Sequence, residues 1–84
     1  MRIISINKLK ECWDRHPETR IPLSEWYVKV GKARWKSFSD MKKDYSSVDY
    51  VGNQRYVFNI KGNSYRIVVA VKFTPQLVYI RFVG

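Results

Sequence analysis

The sequence has little of what stabilises many secreted proteins or anchors many membrane proteins. Its 84 residues include one cysteine, Cys12, which excludes an internal disulfide and a zinc site built on several cysteines. No apolar run approaches the roughly 18 residues that a membrane span needs. The opening residues, MRIISINKLKE, do not form a signal peptide. The composition therefore predicts an intracellular protein, located in the cytoplasm.

Negative charge is also scarce, and it is confined to one part of the chain. The formal net charge is +9, and the isoelectric point is near 9.9. All seven Asp and Glu residues precede position 50, whereas the remainder carries only cations: Arg55, Lys61, Arg66, Lys72 and Arg81. A basic domain of this size is expected to bind a polyanion, with nucleic acid favoured over an acidic protein or an anionic membrane.

Histidine is nearly absent, which limits the acid–base chemistry available. Self-sufficient ribonucleases usually pair a histidine with a second histidine or a glutamate to transfer protons at the 2′-hydroxyl and the leaving oxygen. The only histidine, His16, directly precedes Pro17, and a position at the end of a helix is its favoured interpretation. The sequence has no Ser-His-Asp set, P-loop, GxGxxG motif or cluster of metal ligands. No cofactor or metal ion is expected.

The N-terminal half predicts helices. The apolar residues RIIS, from Arg2, predict a strand added to the sheet, and Ser5 or Asn7 is expected to cap a helix over 8–15. Pro17 ends that helix, and Pro22 opens a second one over 23–35. A short third helical turn is predicted around 40–43. The whole chain, 1–84, is predicted to form one domain.

From Arg55 onward, β-branched and aromatic residues predict three strands. Loops of three residues at 61–63 and 74–76 would place Arg66 opposite both Phe58 and Gly84, with apolar residues on both faces. A shift of one residue in the strand pairing would move each side chain to the other face of the sheet. The register therefore decides on which face each cation lies. The expected fold class is α+β, with two to three N-terminal helices packed on a small antiparallel sheet.

The candidate site residues are the cations of these strands. Arg66, in mid-strand, either forms a buried ion pair with a carboxylate of the helices or binds a scissile phosphate and stabilises its developing charge. Arg81 presents the same two alternatives, and Lys61 is either a solvated charge or a phosphate contact. Tyr56, Tyr65 and Tyr79 are either core residues or stacking surfaces for bases.

Two segments carry a resemblance to a known family. The runs YVFNIKGNSYRIVVAV and YIRFVG, with ARWKSFSDMKKDY and SSVDYVGNQR upstream, resemble the HigB family of bacterial toxins over the whole chain. The resemblance implies a RelE-like fold, ribosome-dependent cleavage of mRNA and neutralisation by a HigA antitoxin of the helix-turn-helix class.

The resemblance also implies roles for particular residues. It makes Arg66 the leading catalytic candidate, accompanied by Arg81 and Lys61, which are expected to contact phosphate. The expected RNA-binding residues are Arg55, Lys61, Arg66, Lys72 and Tyr65. The alternative function is a non-catalytic module that binds RNA or an antitoxin, or a domain whose basic face meets an acidic protein.

One difference from the family pattern concerns the C-terminus. Family members usually continue after FVG with a segment of the type TH-x-EYD, whereas this sequence ends at Gly84. That segment would bring a histidine and a tyrosine to the site, so the expectation is that the 84-residue form is weakly active or inactive as a ribonuclease.

Overall fold

A five-stranded sheet, with helices against one face, forms the frame of the molecule. The computed structural model describes residues 1–84. The elements, in chain order, are β1 (Arg2–Ile4), α1 (Asn7–Arg15), a 3-10 turn (Pro17–Thr19), α2 (Arg20–Lys32), α3 (Phe38–Asp44), β2 (Asp49–Gly52), β3 (Arg55–Ile60), β4 (Tyr65–Lys72) and β5 (Leu77–Val83). The strand order is β1-β5-β4-β3-β2. The predicted α+β class is confirmed, although the sheet is mixed.

The mixed character comes from β1, which pairs parallel to β5, from Arg2 opposite Leu77 to Ile4 opposite Tyr79. The other neighbouring strands are antiparallel. Sequence reasoning predicted the added strand but described the whole sheet as antiparallel. A parallel pair needs a long connection rather than a hairpin, and here the connection contains all three helices and three strands.

The helix boundaries differ from the predicted ones at several ends. Ile6 occupies the N-cap of α1, which has no side-chain cap, so the predicted capping by Ser5 or Asn7 is wrong. The helix α2 begins at Arg20, which places Pro22 within its first turn. Proline is tolerated there because N–H groups of the first turn have no acceptor within the helix. The helix ends at Lys32, three residues earlier than predicted. The Ser37 side chain caps α3 by accepting a bond from the Asp40 N–H at 3.4 Å.

Aromatic rings fill the space between the helices and the sheet. Phe58 is 1% exposed, and its ring centroid lies 5.4 Å from that of Trp26, 6.1 Å from Trp35 and 5.1 Å from Tyr45. A hydrogen bond also holds Trp35, because its indole N–H donates to an Asp44 carboxylate oxygen at 2.8 Å. These contacts fix the direction in which β3 presents its side chains.

The strand register differs from the prediction by one residue between β3 and β4. Ile60 pairs with Tyr65, which makes the intervening loop four residues long, and Asn59 rather than Phe58 lies opposite Arg66. The loop closes with a bond from the Ser64 N–H to the Lys61 carbonyl at 3.3 Å. The extra residue exchanges the faces of β4 relative to β3, which makes the predicted face assignment wrong.

The second hairpin contains two deviations that cancel. Lys72 pairs with Leu77, so this loop also has four residues instead of three. Farther along, Val69 pairs with Ile80 but Val68 pairs with Phe82, which leaves Arg81 as an extra residue in a β-bulge. The predicted pairing of Arg66 with Gly84 is therefore confirmed.

The two faces of the sheet are covered very differently. The buried side chains of one face pack against the helices; in β3, β4 and β5 they are Tyr56, Phe58, Ile60, Ile67, Val69, Val71, Val78 and Ile80. The opposite side of the same strands carries Arg66 and Lys72, which are exposed, between partly buried residues such as Val68. Apolar residues therefore occur on both faces, as the sequence predicts, but helices cover only one of them. No helix is both long enough and apolar enough to cross a membrane.

Replacing Phe58 with alanine tests the packing that orients β3. Because three aromatic neighbours would border the resulting cavity, we expect Phe58→Ala to lower the free energy of unfolding by about 3–5 kcal/mol, measured by urea denaturation. Val57→Ala, at the adjacent partly buried position on the opposite face, is the control and should cost clearly less. Equal losses in the two variants would contradict the proposed role of the aromatic cluster.

Candidate functional site

Arg66 lies on the uncovered face of the sheet, near the start of β4. Its backbone N–H donates to the Gly84 carbonyl at 3.0 Å, and its own carbonyl accepts from the Gly84 N–H at 3.0 Å. Its side chain is exposed and forms no ion pair, because the single ion pair of the molecule joins Lys43 and Asp40 at 4.0 Å. The alternative interpretation of Arg66 as half of a buried ion pair is therefore wrong.

An open groove of about 460 Å³ adjoins this arginine. It is lined by Asp49, Val51, Val57, Asn59, Asn63 and Arg66. Asn59 is the direct cross-strand partner of Arg66, so an amide and a guanidinium lie side by side. A guanidinium can donate two parallel hydrogen bonds to a phosphate, and a neighbouring amide can donate another. The groove is suited to holding an anion in a fixed orientation.

An exposed aromatic ring lies near the end of β5, which pairs with the part of β4 that contains Arg66, and sequence reasoning assigned it no role. Phe82 is 53% exposed and pairs with Val68, on the same face as Arg66. A Cβ atom on Gly84 would come within 2.8 Å of the Phe82 ring, so the ring occupies the space that glycine leaves open next to Arg66. Bases can stack on such a ring. The available signal was its two-residue spacing from Gly84, the partner of Arg66.

The bulge separates Arg81 from Arg66. Its guanidinium carbon lies 5.7 Å from the Tyr79 ring centroid, and it lines a second groove, of about 380 Å³, between α1 and the end of β5. Helix α1 and the residue after it line this groove with Lys8, Glu11, Cys12, Arg15 and His16. The end of β5 adds Phe82, Val83 and Gly84. The two arginines therefore face different grooves, and Arg81 is grouped with the cations of α1.

The remaining predicted site residues are dispersed. Arg55 pairs with Ala70 and so belongs to the uncovered face, as does Lys72, and both are exposed. Lys61 is exposed in the loop between β3 and β4, with a positive φ of 54°. Tyr65 is directed to the helix side. The other two candidate stacking residues differ from each other, since Tyr56 is a core residue at 6% exposure and Tyr79 is partly exposed.

Tyr65 joins a small polar cluster that sequence reasoning missed. Its hydroxyl donates to the Glu18 Oε2 at 2.6 Å, and its ring centroid lies 5.4 Å from that of His16. This hydrogen bond is the main cause that lowers the pKa of Glu18 and raises the pKa of Tyr65; the charges of His16 and Lys61 lower that of Glu18 further. No signal in the sequence links Glu18 to a residue 47 positions later.

No group of three or more His, Cys, Asp or Glu side chains converges in the structure. The groove itself offers the hydrogen-bond donors of Asn59, Asn63 and Arg66, the positive charge of Arg66 and the carboxylate of Asp49.

Comparison with known proteins gives concordant results. Residues 19–84 match the family model HigB_toxin, described as the RelE-like toxic component of a toxin-antitoxin system. Among curated proteins, the chain is 31% identical over 84 residues to the mRNA interferase toxin HigB of Escherichia coli strain K12. The alignment covers 96% of this chain and 80% of that protein. The same identity and coverage relate it to the mRNA interferases HigB of Escherichia coli O157:H7 and Shigella flexneri.

The Tyr65–Glu18 hydrogen bond leads to a prediction about pH. Because the folded-state pKa of Glu18 is depressed, its contribution to stability is present above the unfolded value, near 4.5, and is lost as the pH falls through the folded value. We expect Tyr65→Phe to return the pKa of Glu18 toward 4.5, measured by NMR titration of the carboxyl carbon. Tyr27→Phe, at another exposed tyrosine, is the control. An unchanged Glu18 pKa in Tyr65→Phe would refute the assignment.

Proposed function

The chain belongs to the HigB family of RelE-like toxins, the toxic components of toxin-antitoxin systems, and on this premise we propose that it is an mRNA interferase that cleaves mRNA on the ribosome. The observation that carries the proposal is Arg66, an exposed guanidinium without an ion pair, beside an open groove and an exposed ring. These groups fit a nucleotide whose phosphate binds Arg66 while its base rests on Phe82.

The proposed chemistry uses charge and orientation more than strong acids and bases. The 2′-hydroxyl gives its proton to solvent as its oxygen attacks the phosphorus, and the leaving 5′-oxygen takes a proton from solvent as its bond breaks. Negative charge builds on the non-bridging oxygens during this step. The Arg66 guanidinium is proposed to stabilise that charge. The ribosome is proposed to hold the mRNA so that the attacking and leaving oxygens are in line, which lowers the barrier through orientation. A groove that no histidine lines is compatible with this division of labour.

The other cations are proposed to bind the RNA around the cleavage point. Arg55 and Lys72 extend the positive charge of the uncovered face, and Lys61 does so at the adjoining loop. Their proposed role is to bind backbone phosphates. For Tyr65 the same role would require its hydroxyl to leave Glu18, to which it is bonded at 2.6 Å.

The proposed partners follow from the family. A HigA-type antitoxin of the helix-turn-helix class is proposed to neutralise the toxin, and cleavage on the ribosome would take place in the cytoplasm. Copurification of the chain with a coexpressed HigA-type protein, and loss of growth arrest on that coexpression, would test this. Growth arrest that persists although such a protein is present would count against the pairing.

Arg66 is the residue on which the proposed activity depends. We expect Arg66→Ala to reduce the rate of translation-coupled mRNA cleavage about 10²–10³-fold, as the loss of one charge-stabilising donor typically does. Arg66→Lys should retain only part of the rate, because a lysine cannot donate the two parallel bonds of a guanidinium. Primer extension on a translated mRNA, and growth after induction of the toxin, provide the measurements.

The control for Arg66→Ala is Arg20→Ala, which removes an exposed arginine of α2 and changes the net charge equally. If both variants cleave like the wild type, the catalytic role of Arg66 is wrong. RNA binding by the wild type without cleavage or growth arrest would instead favour the non-catalytic module.

Arg81 should behave differently because it faces the groove beside α1. We expect Arg81→Ala to raise KM for mRNA about tenfold, the effect of losing one charged hydrogen bond, and to leave kcat close to the wild-type value. Steady-state kinetics of ribosome-coupled cleavage separates the two parameters. A loss confined to kcat would mean that Arg81 acts on the scissile phosphate together with Arg66.

A further inference from the structure

A second cationic surface lies at the end of the sheet opposite Arg66. It is a cleft of about 1060 Å³ between the end of α2, the loop that precedes α3 and the loop between β4 and β5. Its lining residues are Met1, Arg2, Gly31, Lys32, Ala33, Arg34, Lys36, Phe73, Thr74, Pro75 and Gln76. Four of them are cations, all four are exposed, and none is an acid.

The distance between this cleft and Arg66 excludes a shared phosphate. Both Arg66 and Lys72 belong to β4, which continues directly into the loop that borders the cleft. At about 3.3 Å per residue, the six residues from Arg66 to Lys72 span roughly 20 Å. An RNA phosphate held at Arg66 therefore leaves the cleft free for another segment.

Hydrogen bonds hold the cleft in a fixed shape. The Gln76 amide nitrogen donates to the Phe73 carbonyl at 2.8 Å and to the Trp35 carbonyl, which joins the β4–β5 loop to the segment between α2 and α3. The Gln76 carbonyl accepts from the Arg2 N–H at 2.9 Å. The Lys36 N–H is also fixed, by an Asp40 carboxylate oxygen at 2.9 Å. The backbone beneath the cations is thus ordered before any partner binds, which reduces the entropy that binding costs.

We propose that this cleft binds the sugar–phosphate backbone of RNA outside the segment that is cleaved, an inference that rests on the proposed function. Unpaired cations on a rigid concave surface suit a polyanion, whose binding releases condensed counterions. A protein partner is less suited to the cleft. Protein interfaces have an apolar core depleted of charge, whereas the cations of the cleft surround only small or partly buried apolar residues such as Ala33 and Phe73.

The test compares two double variants with the same net charge. Arg34→Ala with Lys36→Ala removes two cations of the cleft, and Lys10→Ala with Arg20→Ala removes two exposed cations elsewhere. Each pair is made in the full chain together with Arg66→Ala, so that the proposed catalytic arginine is absent and binding is measured without cleavage. The dissociation constant for a fluorescein-labelled RNA hairpin is measured at several KCl concentrations, and thermal unfolding verifies that each variant folds.

We expect the cleft variant to bind the hairpin about tenfold more weakly than the control variant. The slope of log K against log [KCl] should fall by about 1.4–1.8 relative to the control, for two lost phosphate contacts. Arg34→Lys with Lys36→Arg should restore the affinity, because phosphate binding by charge tolerates the exchange. This result is independent of cleavage, so a chain that binds in this way but does not cleave would refute only the proposed enzyme activity.

Equal affinity and equal salt slope in the cleft and control variants would overturn the proposal. So would failure of the lysine–arginine exchange to restore binding in a folded protein, since the side chains would then act through structure. The proposal would also be overturned if the cleft variant lost binding to a poly-glutamate peptide but still bound the RNA hairpin. That result would identify an acidic protein segment as the partner.

Discussion

The burial of Phe58 among Trp26, Trp35 and Tyr45 is the contact on which the arrangement of the sheet depends. It determines which side of β3 faces the helices. Because side chains alternate along a strand and cross-strand partners share a face, that choice passes to β4 through the Phe58–Ile67 pair. Arg66, the neighbour of Ile67, must then lie on the uncovered side. The apolar packing of the core thereby positions a charge that takes no part in it.

The cations are available because the protein provides so few carboxylates near them. Only one ion pair forms, within α3, and the strands β3, β4 and β5 contain no acid at all. Around Arg66 the only carboxylate that lines the groove is that of Asp49, from the edge strand β2. Positive charge at the surface is thus left to interact with an external anion. The same reasoning applies at both ends of the sheet, where the two proposed regions of polyanion contact lie.

Sequence reasoning succeeded where the signal is local and failed where it depends on counting across turns. The strand content after Arg55 and the end of α1 before Pro17 both follow from residue types. The loop lengths do not, because loops of three and of four residues both accommodate the sequence KGNS. That one residue exchanged the faces of β4. Arg66 could be selected as a candidate site residue from its charge in mid-strand, whereas the contact of Tyr65 with Glu18 is set by tertiary packing alone.

The four-residue β4–β5 loop and the bulge at Arg81 together restrict where sequences of this family can gain or lose a residue. The Arg66–Gly84 pair keeps its register because one additional residue in the β4–β5 loop is matched by one additional residue in β5. A relative with a three-residue loop would keep the same pair aligned only without the bulge. A residue inserted or deleted in the β4–β5 loop must therefore be matched by one inserted or deleted at the bulge in β5. A change at only one of these sites would move Gly84 out of its pairing with Arg66. An alignment that gaps only one of them would misassign the residues opposite the arginine.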